Sequence, residues 1–162
     1  MNDDHAVVPL TIEAVDPRHE DALALLDEAA REARRLYAAR IDASAPWPTN
    51  PPAGPRSVYL VARLAGRTAG CAALRPFDSH TAEVRRIYVL PAFRRRGIAR
   101  TLLVCLERHA AELGYTRLLL ETGDRQLPAL ALYEATGYRH VSAFGPHIGD
   151  PTSVCFEKHI DR

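Results

Sequence analysis

The sequence predicts an α/β sandwich on a mixed central sheet, and three observations carry that reading. Short β-forming runs dominate the middle of the chain, apolar stripes at helical spacing fall between the later runs, and proline and glycine punctuate the joins. The resulting order is β, α, β, β, β, α, β, α, β, β. At 162 residues, 47% hydrophobic and 25% charged, the chain reads as one domain over 1–162, long enough to bury a core.

Val7 to Val15 alternates loosely and is the first expected strand. Asp16-Pro17 then reads as a helix start, with Asp16 as cap and Pro17 in the first position. Leu23, Leu26, Ala30, Ala33, Leu36 and Tyr37 continue that helix at apolar spacing to about Arg40. Ile41 to Arg56 contains Pro46, Pro48, Pro51, Pro52 and Pro55 beside Trp47 and Gly54, a stiff loop. Ser57 to Ala65 and Thr68 to Arg75 form a hairpin around Ala65-Gly66-Arg67, and Phe77 to Thr81 turns the chain back.

Glu83 to Leu90 is a strand stopped by Pro91, which has no N–H for a sheet ladder. Ile98, Leu102, Leu106, Ala110 and Leu113 line a helix of about four turns that ends at Gly114. Thr116 to Glu121 is a short buried strand. Gln126 to Thr136 is a second helix, ending at Gly137. Tyr138 to Ser142, a loop over Phe144 to Pro151, and a strand from Ser153 to His159 finish the sheet.

Composition excludes several function classes. With a net charge of +1 the chain is not a general polyanion binder, and its local arginine cluster favours a small phosphorylated ligand over nucleic acid. No apolar run is long enough for a bilayer, and MNDDHAVVPL lacks the basic start and apolar core of a signal peptide. Cys71, Cys105 and Cys155 are few and widely spaced, so they are expected reduced, in a cytoplasmic protein. No His/Cys/Asp cluster has metal-ligand spacing.

The chemistry gathers between Glu83 and Leu103. Free amides and partial positive charge at a helix start, a glycine that admits close approach, and forked arginine donors together suit a phosphate or pyrophosphate. The stretch lacks the Lys-Ser/Thr pair of a P-loop and the three-glycine dinucleotide fingerprint, so ATP and NAD fit poorly.

Arg94-Arg95-Arg96-Gly97-Ile98-Ala99 resembles Arg/Gln-x-x-Gly-x-Gly/Ala, the acyl-CoA pyrophosphate loop of the GNAT superfamily of N-acetyltransferases. The resemblance spans roughly Ser57 to Lys158. It implies a mixed, mostly antiparallel central sheet flanked by helices, with acetyl-CoA as co-substrate and no metal. Arg94, Arg95, Arg96, Gly97, Ile98, Ala99 and Arg100 would hold the pyrophosphate, chiefly through backbone N–H groups. Ile87, Tyr88 and Val89 would pair with pantetheine where the sheet splays.

A second motif, Gln126-x-x-Ala129-x-x-Leu132-Tyr133-Glu134-x-x-Gly137-Tyr138, resembles the family's Asn-x-x-Ala-x-x-Leu-Tyr-x-x-x-Gly-Phe segment. Gln126 stands where many members have Asn, Ala129 would let the pantetheine arm lie close, and Tyr133 would protonate the leaving thiolate. An ordinary core role for Tyr133 is the alternative. Several members have a carboxylate near Glu83 that removes the amine proton. Alternation puts Glu83 on one face with Arg85, Ile87 and Val89, and Glu83 either serves as base or pairs with an arginine such as Arg85. Glu121, His80, His140 and His147 are the rival bases.

Trp47 in the proline-rich loop either walls the acceptor site or packs locally, and the loop from Phe144 to Gly149 faces the acceptor side by resemblance. The expected activity is acetyl transfer to a primary amine of a small molecule by direct attack in a ternary complex. A non-catalytic acyl-CoA-binding or regulatory module, and a protein N-acetyltransferase, stand as alternatives; a nucleic-acid binder ranks behind both. A homodimer is the family's common habit.

Overall fold

Strand-forming runs and helical stripes assemble into one seven-stranded sheet with helices on both faces in the computed structural model, which describes residues 8–161. The elements are β1 (Leu10–Ala14), α1 (Glu20–Leu36), β2 (Val58–Leu64), β3 (Arg67–Pro76), β4 (Thr81–Val89), α2 (Ile98–Glu112), β5 (Arg117–Gly123), α3 (Leu127–Ala135), β6 (Arg139–Val141) and β7 (Ser153–His159). Short 3-10 turns at Pro91–Phe93 and Gly145–His147 are added to the expected order. The sheet runs β1-β2-β3-β4-β5-β7-β6. Every pairing is antiparallel except β4 with β5, the pair that α2 crosses over to connect.

Helix α2 buries Ile98, Leu102, Leu103, Leu106 and Ala110 against the sheet, joined by Tyr133 of α3 and Phe156 of β7. Each such Leu or Ile contributes about 1.5–3 kcal/mol relative to leaving it in water. The other face is covered by α1, whose Ala22 and Leu25 meet Tyr59, Val61, Cys71 and Ala73. Among the described residues no helix is long and apolar enough to cross a membrane.

Several boundaries differ from expectation for local reasons. Asp16 does not cap α1: its carboxylate accepts from the Arg18 amide at 2.8 Å in a tight turn, and His19 caps the helix at Glu20. The buried stripe is Ala22, Leu25, Leu26 and Ala30, so Leu23, predicted inside, is exposed. The helix stops at Leu36, and the Tyr37 hydroxyl oxygen reaches the far loop, accepting from the Arg125 amide at 3.0 Å. Val7, placed in the first strand by the sequence, lies outside the described residues.

The larger correction is in β4. Cys71 pairs with Tyr88 but Ala73 pairs with Arg85, so β4 carries one residue more than β3 over the same span. This is a β-bulge, and Arg86 sits in it at φ 59°. Two bonds from its guanidinium, to Asn50 Oδ1 and the Thr49 carbonyl, both at 3.2 Å, hold that left-handed residue. The bulge inverts alternation along the strand. Ala82, Val84, Ile87 and Val89 all face the α2 core, whereas Tyr88 packs on the α1 side. Glu83, between Ala82 and Val84, therefore points to the face opposite Ile87 and Val89, not the same one as expected.

Candidate active site

The parallel pair supplies the first component. Its register runs only from Thr81 with Arg117 to Val84 with Leu120. Beyond that β5 continues against β7 alone, and β4 from Arg85 to Val89 keeps only β3 as partner. The two strands thus diverge at their carboxyl ends, where ligands of α/β sheets characteristically sit. The predicted pantetheine residues Ile87, Tyr88 and Val89 form the β4 side of that opening. The Val89 carbonyl already accepts from Arg94 Nε at 2.9 Å.

Both chain segments that leave this end carry a sequence motif. After β4 the chain passes Arg95 at φ 64° and Gly97 at φ 74° before entering α2. A Cβ on Gly97 would meet nothing within 4 Å, so the glycine serves the left-handed turn and faces open space. No side chain caps α2, and no acidic residue occupies its first turn. The amides of Ile98, Ala99 and Arg100 begin the helix with its positive dipole end uncompensated. Arg95, Arg96 and Arg100 are exposed beside them. The guanidinium of Arg94 is turned away to α1, at 2.7 Å from Glu32, which also accepts from Tyr88 at 2.9 Å. Burial pushes the Glu32 carboxyl up, but these two donors outweigh it and hold it below the usual 4.5. Arg94 therefore anchors the loop, leaving its neighbours free to meet an anion.

After β5 the chain enters α3 with Gln126 as cap residue, its side chain making no cap bond. Ala129 and Tyr133 share one face at i, i+4. The Tyr133 ring is buried between Tyr138 and Phe156, centroids 5.8 and 5.6 Å away. Among the described residues the one polar side-chain atom both sealed from solvent and unpaired is the Tyr59 hydroxyl. The Tyr133 hydroxyl bonds to no protein group and is not fully sealed, although the residue as a whole is buried. Burial, then the charge of Glu121, pushes this phenol above its ordinary 10 and keeps it protonated.

The candidate bases converge. Glu83, only 7% exposed, receives Arg75 of β3 at 3.3 Å rather than the neighbouring Arg85. His147, from the turn between β6 and β7, stands between two carboxylates: Nε2 lies 4.0 Å from Glu83 and Nδ1 3.7 Å from Glu121. Glu121 also accepts from the Ser153 hydroxyl at 3.0 Å. Three residues proposed separately by the sequence form one half-buried cluster. The remaining rivals lie elsewhere: His140 is exposed against Glu134, and His80 is exposed in the β3–β4 turn.

A cavity of about 290 Å³ opens beside this cluster on the α1 face. Its wall includes loop residues 49–54, Tyr59 and the three arginines Arg75, Arg85 and Arg86. The proline-rich loop does border it, but Trp47 does not. Trp47 lines a separate hollow with Leu23 and Leu26, and the Arg34 guanidinium lies 4.6 Å above its ring. Sequence reasoning did not nominate the three arginines. Their one signal was Arg85-Arg86, two adjacent charges inside a strand that plain alternation cannot expose together.

Cys71, Cys105 and Cys155 are free thiols, and among the described residues no His/Cys/Asp/Glu group could hold a metal ion.

A mixed sheet split at its parallel pair, with an uncapped helix start beside the split, is the architecture of an acetyltransferase. The acetyltransferase (GNAT) family model matches residues 23–138, and the chain belongs to that family. The IAA acetyltransferase of Azospirillum brasilense is 35% identical over 152 residues, 93% of this chain and 98% of its own. The uncharacterised N-acetyltransferase YsnE of Bacillus subtilis (strain 168) is 32% identical over 109 residues, 66% of this chain and 72% of its own. Among solved structures, a Klebsiella pneumoniae protein assigned as an acyl-CoA N-acyltransferase has a TM-score of 0.79 at 28% identity, over 94% of this chain and 98% of its own. A GNAT family acetyltransferase from Elizabethkingia anophelis, solved with acetyl-CoA bound, shares the fold at a TM-score of 0.66 and 19% identity, over 93% of this chain and 98% of its own.

Proposed function

We propose that the protein transfers acetyl from acetyl-CoA to a primary amine of a small molecule, by direct attack in a ternary complex. The observation that carries this reading is the Tyr133 hydroxyl: its ring is locked in the core while its oxygen has no protein partner and is not fully sealed, with the strands of the parallel pair parting nearby. A protein that only bound acyl-CoA has no use for a phenol held protonated there.

In this reading the uncapped start of α2, with Arg95, Arg96 and Arg100, meets the pyrophosphate. The free edge of β4 over Ile87, Tyr88 and Val89 lies along pantetheine, and Gln126 and Ala129 border its arm. An alkylamine is mostly protonated at neutral pH, so Glu83 removes one proton, with His147 and Glu121 available to pass it on. The nitrogen lone pair attacks the thioester carbonyl, the new C–N bond forms as the C–S bond breaks, Tyr133 gives its proton to the departing sulfur, and the second proton leaving the nitrogen restores the phenol, directly or through water. Holding both substrates together removes much of the entropic barrier.

The test is calorimetric titration of acetyl-CoA and desulfo-CoA into wild type and an Arg95→Glu/Arg96→Glu variant. Both side chains are exposed and, among the described residues, neither makes a hydrogen bond or ion pair, so the variant should fold normally. Binding to wild type should weaken at least about tenfold in the variant, because two charge-assisted contacts become repulsive. Equal binding by both proteins, or none to wild type at millimolar ligand, would remove the site from this loop. Thiol release over an amine panel then reads turnover; IAA is assayed beside that panel because of the name carried by the Azospirillum relative.

A further inference from the structure

Arg85 is the odd residue of the cavity wall. It is half-buried, and among the described residues it makes no hydrogen bond and no ion pair. Its neighbours are Arg75 and Arg86, and burial, followed by these two positive charges, pulls its pKa below that of a free guanidinium, with the carboxylates of Glu83 and Glu121 opposing them. The other two are occupied: Arg75 with Glu83, Arg86 with Asn50 and Thr49. No Asp or Glu lines the cavity. A half-buried guanidinium that lines a cavity, makes no hydrogen bond or ion pair and stands beside two like charges is a ready site for an anion.

The cavity borders the reacting end through Arg75. The charges of Glu83 and Glu121 both reach Arg85, and that of Glu121 reaches Tyr133. Arg75 spans the boundary, lining the cavity while holding Glu83. An acceptor with opposite charges at its two ends matches this division, arginines on one side and the Glu83–His147–Glu121 cluster on the other.

We propose that the acceptor is an amine that also carries an oxyacid anion, a carboxylate or a phosphate-type group, and that Arg85, flanked by Arg75 and Arg86, binds this anion. The acceptor role rests on the N-acetyltransferase reading; the anion site does not. The fork of the guanidinium would take both oxygens of the acid, and the apolar wall supplied by Pro51, Pro52 and Leu74 leaves room for a side chain.

The experiment compares acid with matched amide. L-phenylalanine and L-methionine, their amides and 2-aminoethylphosphonate are titrated into the CoA-saturated protein, and each is assayed for acetyl-CoA-dependent thiol release. Wild type, Arg85→Gln and Arg85→Lys are compared, with thermal melts to establish folding. Wild type should bind each acid at least about tenfold more tightly than its amide, the worth of a charge-assisted bond. Arg85→Gln should bring that ratio near one, and Arg85→Lys should recover part of it. Phosphonate preferred over carboxylate, or the reverse, identifies the source of the anion. Acid and amide bound alike by wild type, or a preference that survives in Arg85→Gln, overturns the proposal. Amides and acids turned over alike would do so while leaving amine acetylation standing. Acid-selective binding lost in Arg85→Gln, without turnover of any amine, would keep the anion site and sink the transfer reading.

Discussion

The two sides of the site are built in opposite ways. The crevice at the carboxyl ends of β4 and β5 is made of contiguous segments: one loop and helix start after β4, one helix after β5. Its donors are mostly backbone amides, which any sequence of the right shape provides. The cavity on the α1 face is made of side chains from β2, β3, β4 and the loop over 41–56, held in place by a bulge. Its chemistry is specific to these residues. A crevice of backbone groups recognises what every family member shares, while a cavity of side chains can differ from one member to the next. The two meet where Glu83, Glu121 and Tyr133 come within reach of one another's charge.

That meeting point gives the largest expected effect. Glu83→Gln should lower kcat for amine acetylation by about a hundredfold or more, the usual worth of a positioned base, without changing the dissociation constant for acetyl-CoA. His147→Asn, which breaks the bridge while leaving both carboxylates, should cost less. Steady-state kinetics beside calorimetry separates the two sides. An unchanged kcat in Glu83→Gln would move the base to Glu121 or to water.

Tyr133→Phe tests the crevice side with a smaller expected effect, about ten- to a hundredfold in kcat, since only the proton to sulfur is lost. Its pH dependence has a definite sign. Burial raises this phenol above 10, so its proton is held at every pH below 10 and is lost only as pH rises through the shifted value. The alkaline side of the kcat profile should therefore stay flat to pH 10 in wild type. A fall centred near pH 8 or 9 would mean that another group supplies the proton.

The difference in construction also explains what was legible in the sequence. The strand and helix order, the turn before α2 and the segment that forms α3 all came from contiguous residues, and each lies at the expected point along the fold. The grouping of Glu83, Glu121 and His147 did not, because three residues from β4, β5 and the β6–β7 turn share no spacing. Trp47, which the sequence left between the acceptor wall and local packing, takes the local place, with Arg34 over its ring. Glu83 was set on the wrong face because a bulge is invisible to a period of two. Its one trace was the Arg85-Arg86 pair, which the strand pattern could not accommodate. Arg94 read as a phosphate ligand, and only the fold brings Glu32, sixty-two residues away, against it.

The smallest effect expected is on the bulge itself, through Gly70. This residue pairs with Val89 at the edge of the irregular stretch, and a Cβ there would stand 2.6 Å from the Tyr88 carbonyl oxygen and 3.1 Å from Val89 Cγ2. The obstructing atom is backbone, so the strands must part to admit it. Gly70→Ala should lose about 1–2 kcal/mol of stability in urea unfolding, about five- to thirtyfold in the folding constant. Because the same stretch of β4 borders both crevice and cavity, the variant should weaken acetyl-CoA and acceptor together, with KM rising for each. A loss confined to acetyl-CoA would mean that the cavity is held by Arg86 and its bonds to Asn50 and Thr49 independently of the strand pairing, and that the two sides are mechanically separate.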